Sequence, residues 1–323
     1  MKHCIFTLFA AACILVAITG PTPAQITGHH LPGSWGLQSG TQHPEGFLVA
    51  PVYIHYGSDK IMDGDGNELK NITGEKRDVG IDVLTLFGWW VSKFKILGAN
   101  YGALVNIALG NNQVEFASFD FESGFGLADI YLQPVNLGWH LKQADFVASY
   151  GVYFPTGSYE AGATDNNGLG MWTHEFGAGT TLFFDPRKQW HFAASGYFEL
   201  NGKKKDTEIN VGNTLTVEGG LGRSFLKGAL SVGAAYYGNW KVSNDKIGLN
   251  NQIPNLPGEV TLEDKHRVYG LGPEVTLPIV IKGKLISLVN ARYFWEMGTK
   301  STLEGQRLLV FVIFPFFKNG GSD

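Results

Sequence analysis

Serine, histidine and acidic side chains are the groups in this sequence that could do chemistry, and their spacing limits what that chemistry is. A serine hydrolase brings Ser, His and an acid together at a strained nucleophile turn. Here Ser149, Ser195 and Ser231 fall within strand-like runs, while His55, His140, His174, His191 and His266 are scattered, and no nucleophile-elbow pattern is present. No pairing of the Asp/His protease kind stands out either. The stretch DGDGNE at 63–68 has the look of a calcium loop, but Glu68 occupies the sixth position, where that loop turns on glycine. Ordinary turn chemistry accounts for a stretch so rich in Asp, Asn and Gly. His29 and His30 are adjacent, with no third ligand beside them for a structural zinc. The chain does not read as an enzyme: no catalytic residue, metal or cofactor is expected.

What remains is a set of carboxylates in an unusual setting. Glu175 and Glu199 stand in the two halves of MWTHEFGAGTTLFFDPRKQWHFAASGYFELNG (171–202), each inside a run that otherwise reads as apolar and aromatic strand. An unpaired carboxylate in a dry core costs on the order of several kcal/mol, so these side chains need water or a partner.

The elements that carry them are strands. Period-two alternation recurs in twelve pieces, at 46–57, 77–91, 95–108, 124–139, 144–157, 170–184, 189–201, 213–225, 229–241, 265–281, 284–297 and 305–317. The connections alternate in length. Those around Ser92-Lys93-Phe94 and at HLKQ, DPRK, LKG and KGK are short, whereas the intervening six, closing with TKSTLEG as the shortest, are longer and polar. A soluble sandwich has no reason for this pattern, but an outer-membrane barrel does. The faces agree: Trp190, Phe192, Ala194, Phe198 and Leu200 share one side of a strand, and His191, Ser195, Tyr197 and Glu199 the other. The expected fold is all-β, a closed antiparallel transmembrane barrel of twelve strands with short periplasmic turns, six longer extracellular loops and both termini periplasmic. Its apolar face meets lipid and its glutamates face a lumen. Pro51, Pro134, Pro273 and Pro278 fall inside these strands and predict bulges, kinks or strand ends.

Composition fits. The 323 residues carry a formal charge of −4 and 17% charged side chains, which leaves no basic stripe for nucleic acid. Lys2, an apolar run from Cys4 to Ile18 and Thr22-Pro23-Ala24 read as a secretory signal cut after Ala24. Both cysteines, Cys4 and Cys13, lie within it, so no disulfide or thiolate site is expected in the exported chain.

The runs GLADIYLQPVNLGWHL, ADFVASYGVYFPTGSY and WTHEFGAGTTLFFDPRKQWHFAASGYFELNGKKKDT, with HHLPGSWGLQSGTQHPEGF upstream, resemble the exported family of the MetA pathway of phenol degradation. The similarity covers nearly the whole mature chain, and its specificity lies in order and spacing. It implies an outer-membrane barrel that admits aromatic or other hydrophobic compounds, with no catalytic residues to carry over. KNGGSD follows Phe317 where many such barrels end on an aromatic, which moves the assembly signal upstream to FVIFPFF. Outer-membrane lipid, the barrel-assembly machinery and a small hydrophobic solute are the partners implied.

The chain thus divides into a signal (1–24), a periplasmic or lumen-plugging segment (25–45), the barrel (46–317) and a tail (318–323). Candidates for the lumen face are Asp82, Asp129, Glu175, His191, Glu199, Glu218, Glu274, Arg292 and Glu296, to which Asp78 and Arg307 are added by the same alternation. Either they line a path that disfavours anions, or they pair and fill the interior. His30 and Trp35 are the candidate anchors of a plug. The expected function is passive passage of small hydrophobic or aromatic compounds; the alternative is a closed barrel whose loops bind something outside.

Overall fold

The computed structural model describes residues 28–69, 77–116, 119–226, 229–248, 259–262 and 265–317. The expected signal and tail lie outside these residues. Twelve long strands form the wall: β1 (Gly46–Ile61), β2 (Arg77–Ile96), β3 (Ala99–Phe116), β4 (Ile130–His140), β5 (Ala144–Phe154), β6 (Thr173–Phe183), β7 (Trp190–Asn201), β8 (Thr214–Phe225), β9 (Leu230–Lys241), β10 (Arg267–Ile281), β11 (Lys284–Lys300) and β12 (Leu303–Phe317). Each pairs antiparallel with its sequence neighbours, and β1 pairs with β12, which closes the ring. Closure leaves no edge with unpaired amides, the condition for a sheet in lipid. Short ladders in the connections, such as Asp245–Gly248 with Glu259–Leu262, sit outside the ring.

The twelve strands are those read from the alternation, with local differences. β2 and β3 turn at Leu97-Gly98 rather than near Ser92, because both strands pair further than their apolar pattern shows. β4 begins at Ile130, preceded by two short pieces, Phe119–Glu122 and Gly126–Leu127, that pair separately with β3. The hairpin between β11 and β12 is a tight turn at Ser301-Thr302, so the sixth longer loop expected at TKSTLEG is absent. The prolines act where their missing N–H predicts. Register shifts flank Pro134 on both neighbours of β4, another follows Pro278, and the ladders skip Pro51 on its β12 side and Pro273 on its β11 side. In the turn between β6 and β7, Asp185 accepts backbone N–H bonds from Trp190, Arg187 and Gln189 at 2.7, 2.9 and 2.9 Å. Those bonds, led by that of Trp190, hold its carboxyl below the usual range.

The interior has two characters. On β6, β7 and β8 the inward side chains are Thr173, Glu175, Thr181, Ser195, Tyr197, Glu199, Thr214 and Glu218, all buried. On β1 and β12 they are mostly apolar, and Ala50, Val52, Ile54, Leu309 and Phe311 join Phe294 of β11 and Tyr237 of β9 in one cluster. This apolar wall corrects one expectation. Asp82 points outward, on the side of exposed Leu84 and Leu86, while Val83 and Phe87 pack inward. Its carboxylate accepts bonds from Tyr53 Oη at 2.6 Å and from His55 Nδ1 at 2.9 Å, so it is satisfied on the outer face. Asp78 shares that side and is exposed. The assignment of polar residues to the lumen fails where the lumen itself is apolar.

Candidate functional site: a lumen occupied by residues 28–45

Residues 28–45 contact side chains of β4 to β8 and β10 to β12, directly or through Asp129 just before β4. A segment can reach opposite walls of a closed ring at once only from inside it. It runs lengthwise. His29 meets Thr173 and Asp129, at the end where the long loops lie, and Gln42 meets Asn100 and Asn136, near the short turns. Glu45 then passes directly into β1 at Gly46, with no linker between. Residue 28 is therefore at the loop end of the lumen, not beyond the turn end where the N-terminus was expected.

The upper half is a clasp of carboxylates. Glu199 accepts the backbone N–H groups of His29 and His30, both at 2.8 Å, and the Thr214 hydroxyl. The His30 ring lies between Glu175 Oε2 at 2.7 Å and Glu218 Oε1 at 3.3 Å. With a carboxylate at each nitrogen, both must donate, which makes the ring an imidazolium. Tyr197 stacks on it at 4.4 Å, as Tyr153 does on His29 at 4.6 Å. Tyr131 donates to the second oxygen of Glu175 at 2.6 Å. His29 Nε2 is 2.9 Å from Asp129, whose carboxylate also receives N–H bonds from Gly157 and Leu169.

Lower down, Glu274 accepts the Leu37 N–H at 2.8 Å and pairs with Arg292 Nε at 3.2 Å. Arg292 also donates to the Gly33 and Ser34 carbonyls, and Arg307 to that of Pro32. The single turn of 3₁₀ helix at Gly36–Gln38 fits between them. Leu37 is 1% exposed, and the wall is hollowed to take it. A Cβ at Gly220, Gly222 or Gly233 would stand 2.6 to 2.9 Å from its methyl carbons. Trp35 meets Trp89 edge-on at 5.4 Å between ring centres. Glu296 is held by the wall instead, by Tyr237 at 2.6 Å, Tyr56 at 3.0 Å and Arg307 at 3.6 Å. His191 is buried beside Leu37 and bonds to the Gln189 carbonyl, with no hydrogen bond to the inserted segment.

Between the segment and the apolar wall lies a chamber of about 580 Å³. Trp35, Phe87, Trp89, Leu104, Phe311 and Ile313 form its apolar lining, and Glu274, Asn290, Arg292 and Gln42 its polar part. Leu226 and Leu285 place it in the half of the lumen next to the short turns. That volume is within the range of small-molecule sites. No group among the described residues is arranged to hold a metal ion.

The tyrosines of the clasp and the contact of Arg307 with Pro32 were not singled out from the sequence. Tyr197 alternates with Glu199 and Tyr131 with Asp129, which is the signal available for them.

Residues 58–311 match the family described as "Putative MetA-pathway of phenol degradation". The chain belongs to this family. The barrel is similar in fold to the COG4313 outer membrane channel from Pseudomonas putida F1, with a TM-score of 0.64 at 13% identity over 88% of this chain and 99% of that one. Weaker similarity extends to the beta domain of the Bordetella autotransporter Brka (TM-score 0.43, 12% identity, 84% and 100% covered). OccAB4 of Acinetobacter baumannii is more distant still (TM-score 0.34, 7% identity, 84% and 98% covered). No curated protein matches the chain. At 13% identity the likeness to the first of these is one of fold alone, an outer-membrane β-barrel.

Proposed function

We propose that the protein is an outer-membrane channel for small, mainly apolar solutes, closed at rest by its own residues 28–45. The observation that carries this is the inserted segment: it is clasped by Glu175, Glu199 and Glu218 at the loop end, yet leaves an aromatic-lined chamber below. In this reading the short turns face the periplasm, and the chain arrives there by a cleaved signal and the barrel-assembly machinery. The chamber suits a neutral solute with a flat apolar body, since Arg292 already faces Glu274. Passage is diffusive, and the chain's residues offer no energy source.

Planar-bilayer recording of the refolded protein tests the proposal, once heat-modifiable gel migration shows that the barrel has formed. The full chain should give small, intermittent openings, and a deletion of residues 25–44 large, lasting ones. A deletion that leaves conductance unchanged overturns the plug. The many bonds to residues 28–45 also favour a second reading, a permanently closed barrel whose loops bind partners; it predicts silence from the full chain.

A further inference from the structure

The rim at the turn end has a charge of its own. Although the chain is net acidic at −4, that rim presents Lys93, Lys95, Lys142, Arg187, Lys282 and Lys284, all exposed. None of the six is in an ion pair among the described residues. The acids near them are occupied: Asp185 caps its own turn, and Asp145 is buried against Lys188 at 3.3 Å and His140 at 3.4 Å. Among the described residues only Glu45 stands against the six. At the loop end the exposed acids Asp59, Asp65, Glu68 and Asp78 stand among exposed lysines such as Lys60 and Lys205.

The same turns carry large apolar side chains at their tips. Phe94 is 65% exposed, Leu97 87%, Leu141 56% and Phe184 61%. Strand alternation puts all of them at one end of the barrel. Such tips are unfavourable in water and at home at the boundary between headgroups and acyl chains. Lysines beside them can lay their stems along apolar surface and lift the ammonium to phosphate level.

We propose that this rim is a docking surface for anionic glycerophospholipid headgroups of the leaflet that meets the turn end. The apolar tips enter the leaflet and the six cations select its anionic members, because only an uncompensated phosphate gains from all of them. The assignment stands on the rim alone and holds whether or not the lumen conducts.

Native mass spectrometry of the full-length protein, from micelles containing equal phosphatidylglycerol and phosphatidylcholine of identical chains, tests it. The protein should retain phosphatidylglycerol in excess. Changing Lys93, Lys142, Lys282 and Lys284 to Gln should lower that preference at least about tenfold, and changing them to Arg should keep it. A loop-end control, Lys60→Gln with Lys205→Gln, should also keep it. Each variant is accepted only with heat-modifiable migration, and Lys282→Gln with Lys284→Gln serves if the fourfold variant does not fold. Equal retention of the two lipids by the unaltered protein overturns the proposal, as does an equal loss in the loop-end control.

Discussion

Glu175 and Glu199 are register partners on β6 and β7, directly opposite one another, both inward and at most 2% exposed. Like charges facing across a ladder destabilise a bare sheet. Here each carboxylate is committed to the inserted segment, Glu199 to two consecutive backbone N–H groups and Glu175 to the His30 ring. The pair is a receptor for residues 29 and 30, and its repulsion returns whenever they leave.

His30→Gln should therefore destabilise the folded barrel by about 3 kcal/mol, the usual cost of breaking a buried ion pair by removing one partner. The temperature at which the protein loses its heat-modifiable form measures this. A double variant with Glu175→Gln should recover part of the loss, since the two side chains act through one contact. If the two losses simply add, the clasp is not a unit.

Gly36→Ala tests the middle of the segment. Gly36 has φ +56°, and a Cβ there would lie 2.0 Å from Glu274 Oε2 and 2.7 Å from Arg292 Nε. The expected cost is about 1–3 kcal/mol, confined to the segment. Far-UV circular dichroism should keep its strand signal while proteolysis of residues 28–45 accelerates.

The sequence carried the strands but not all of their sides. Where apolar residues face lipid and polar ones the lumen, as on β7, alternation reads correctly from Trp190 to Asn201. On β1 and β2 both faces are largely apolar, and the acids at Asp78 and Asp82 mislead. In β4 the bulge at Pro134 shifts the inward set from Tyr131 and Gln133 to Asn136 and Gly138, a change of parity that no fixed period can follow. The clasp was less legible still. His29 and His30 meet Asp129, Glu175 and Glu218 across at least 100 positions of chain, and nothing local to either partner announces the other.

The outward position of Asp82 has its own test. Asp82→Ala should leave ion selectivity in bilayers unaltered, because the side chain does not face the path. Glu274→Gln, beside Arg292 in the chamber, should shift selectivity towards anions. A selectivity change from Asp82→Ala alone would return that residue to the lumen.

Acid should loosen the loop end through His266, which precedes β10. Burial, with Lys241 beside it, pushes this imidazole down to about 4, against 6.5 in the unfolded chain. The unfolded chain thus binds the proton first. The stabilisation is complete above about pH 6.5 and is lost as pH falls through 4. At full loss it amounts to roughly 3 kcal/mol. Denaturation midpoints between these pH values, taken as the difference from His266→Gln, isolate this share.

Because Glu45 runs into β1 without a spacer, residues 28–45 are a ligand covalently bound to their own receptor. Their local concentration is set by the hinge at Gly46 and not by how much protein the membrane holds. A displaced segment has nowhere to diffuse and one surface to meet again. Each vacancy of the lumen is then short, and dilution does not lengthen it.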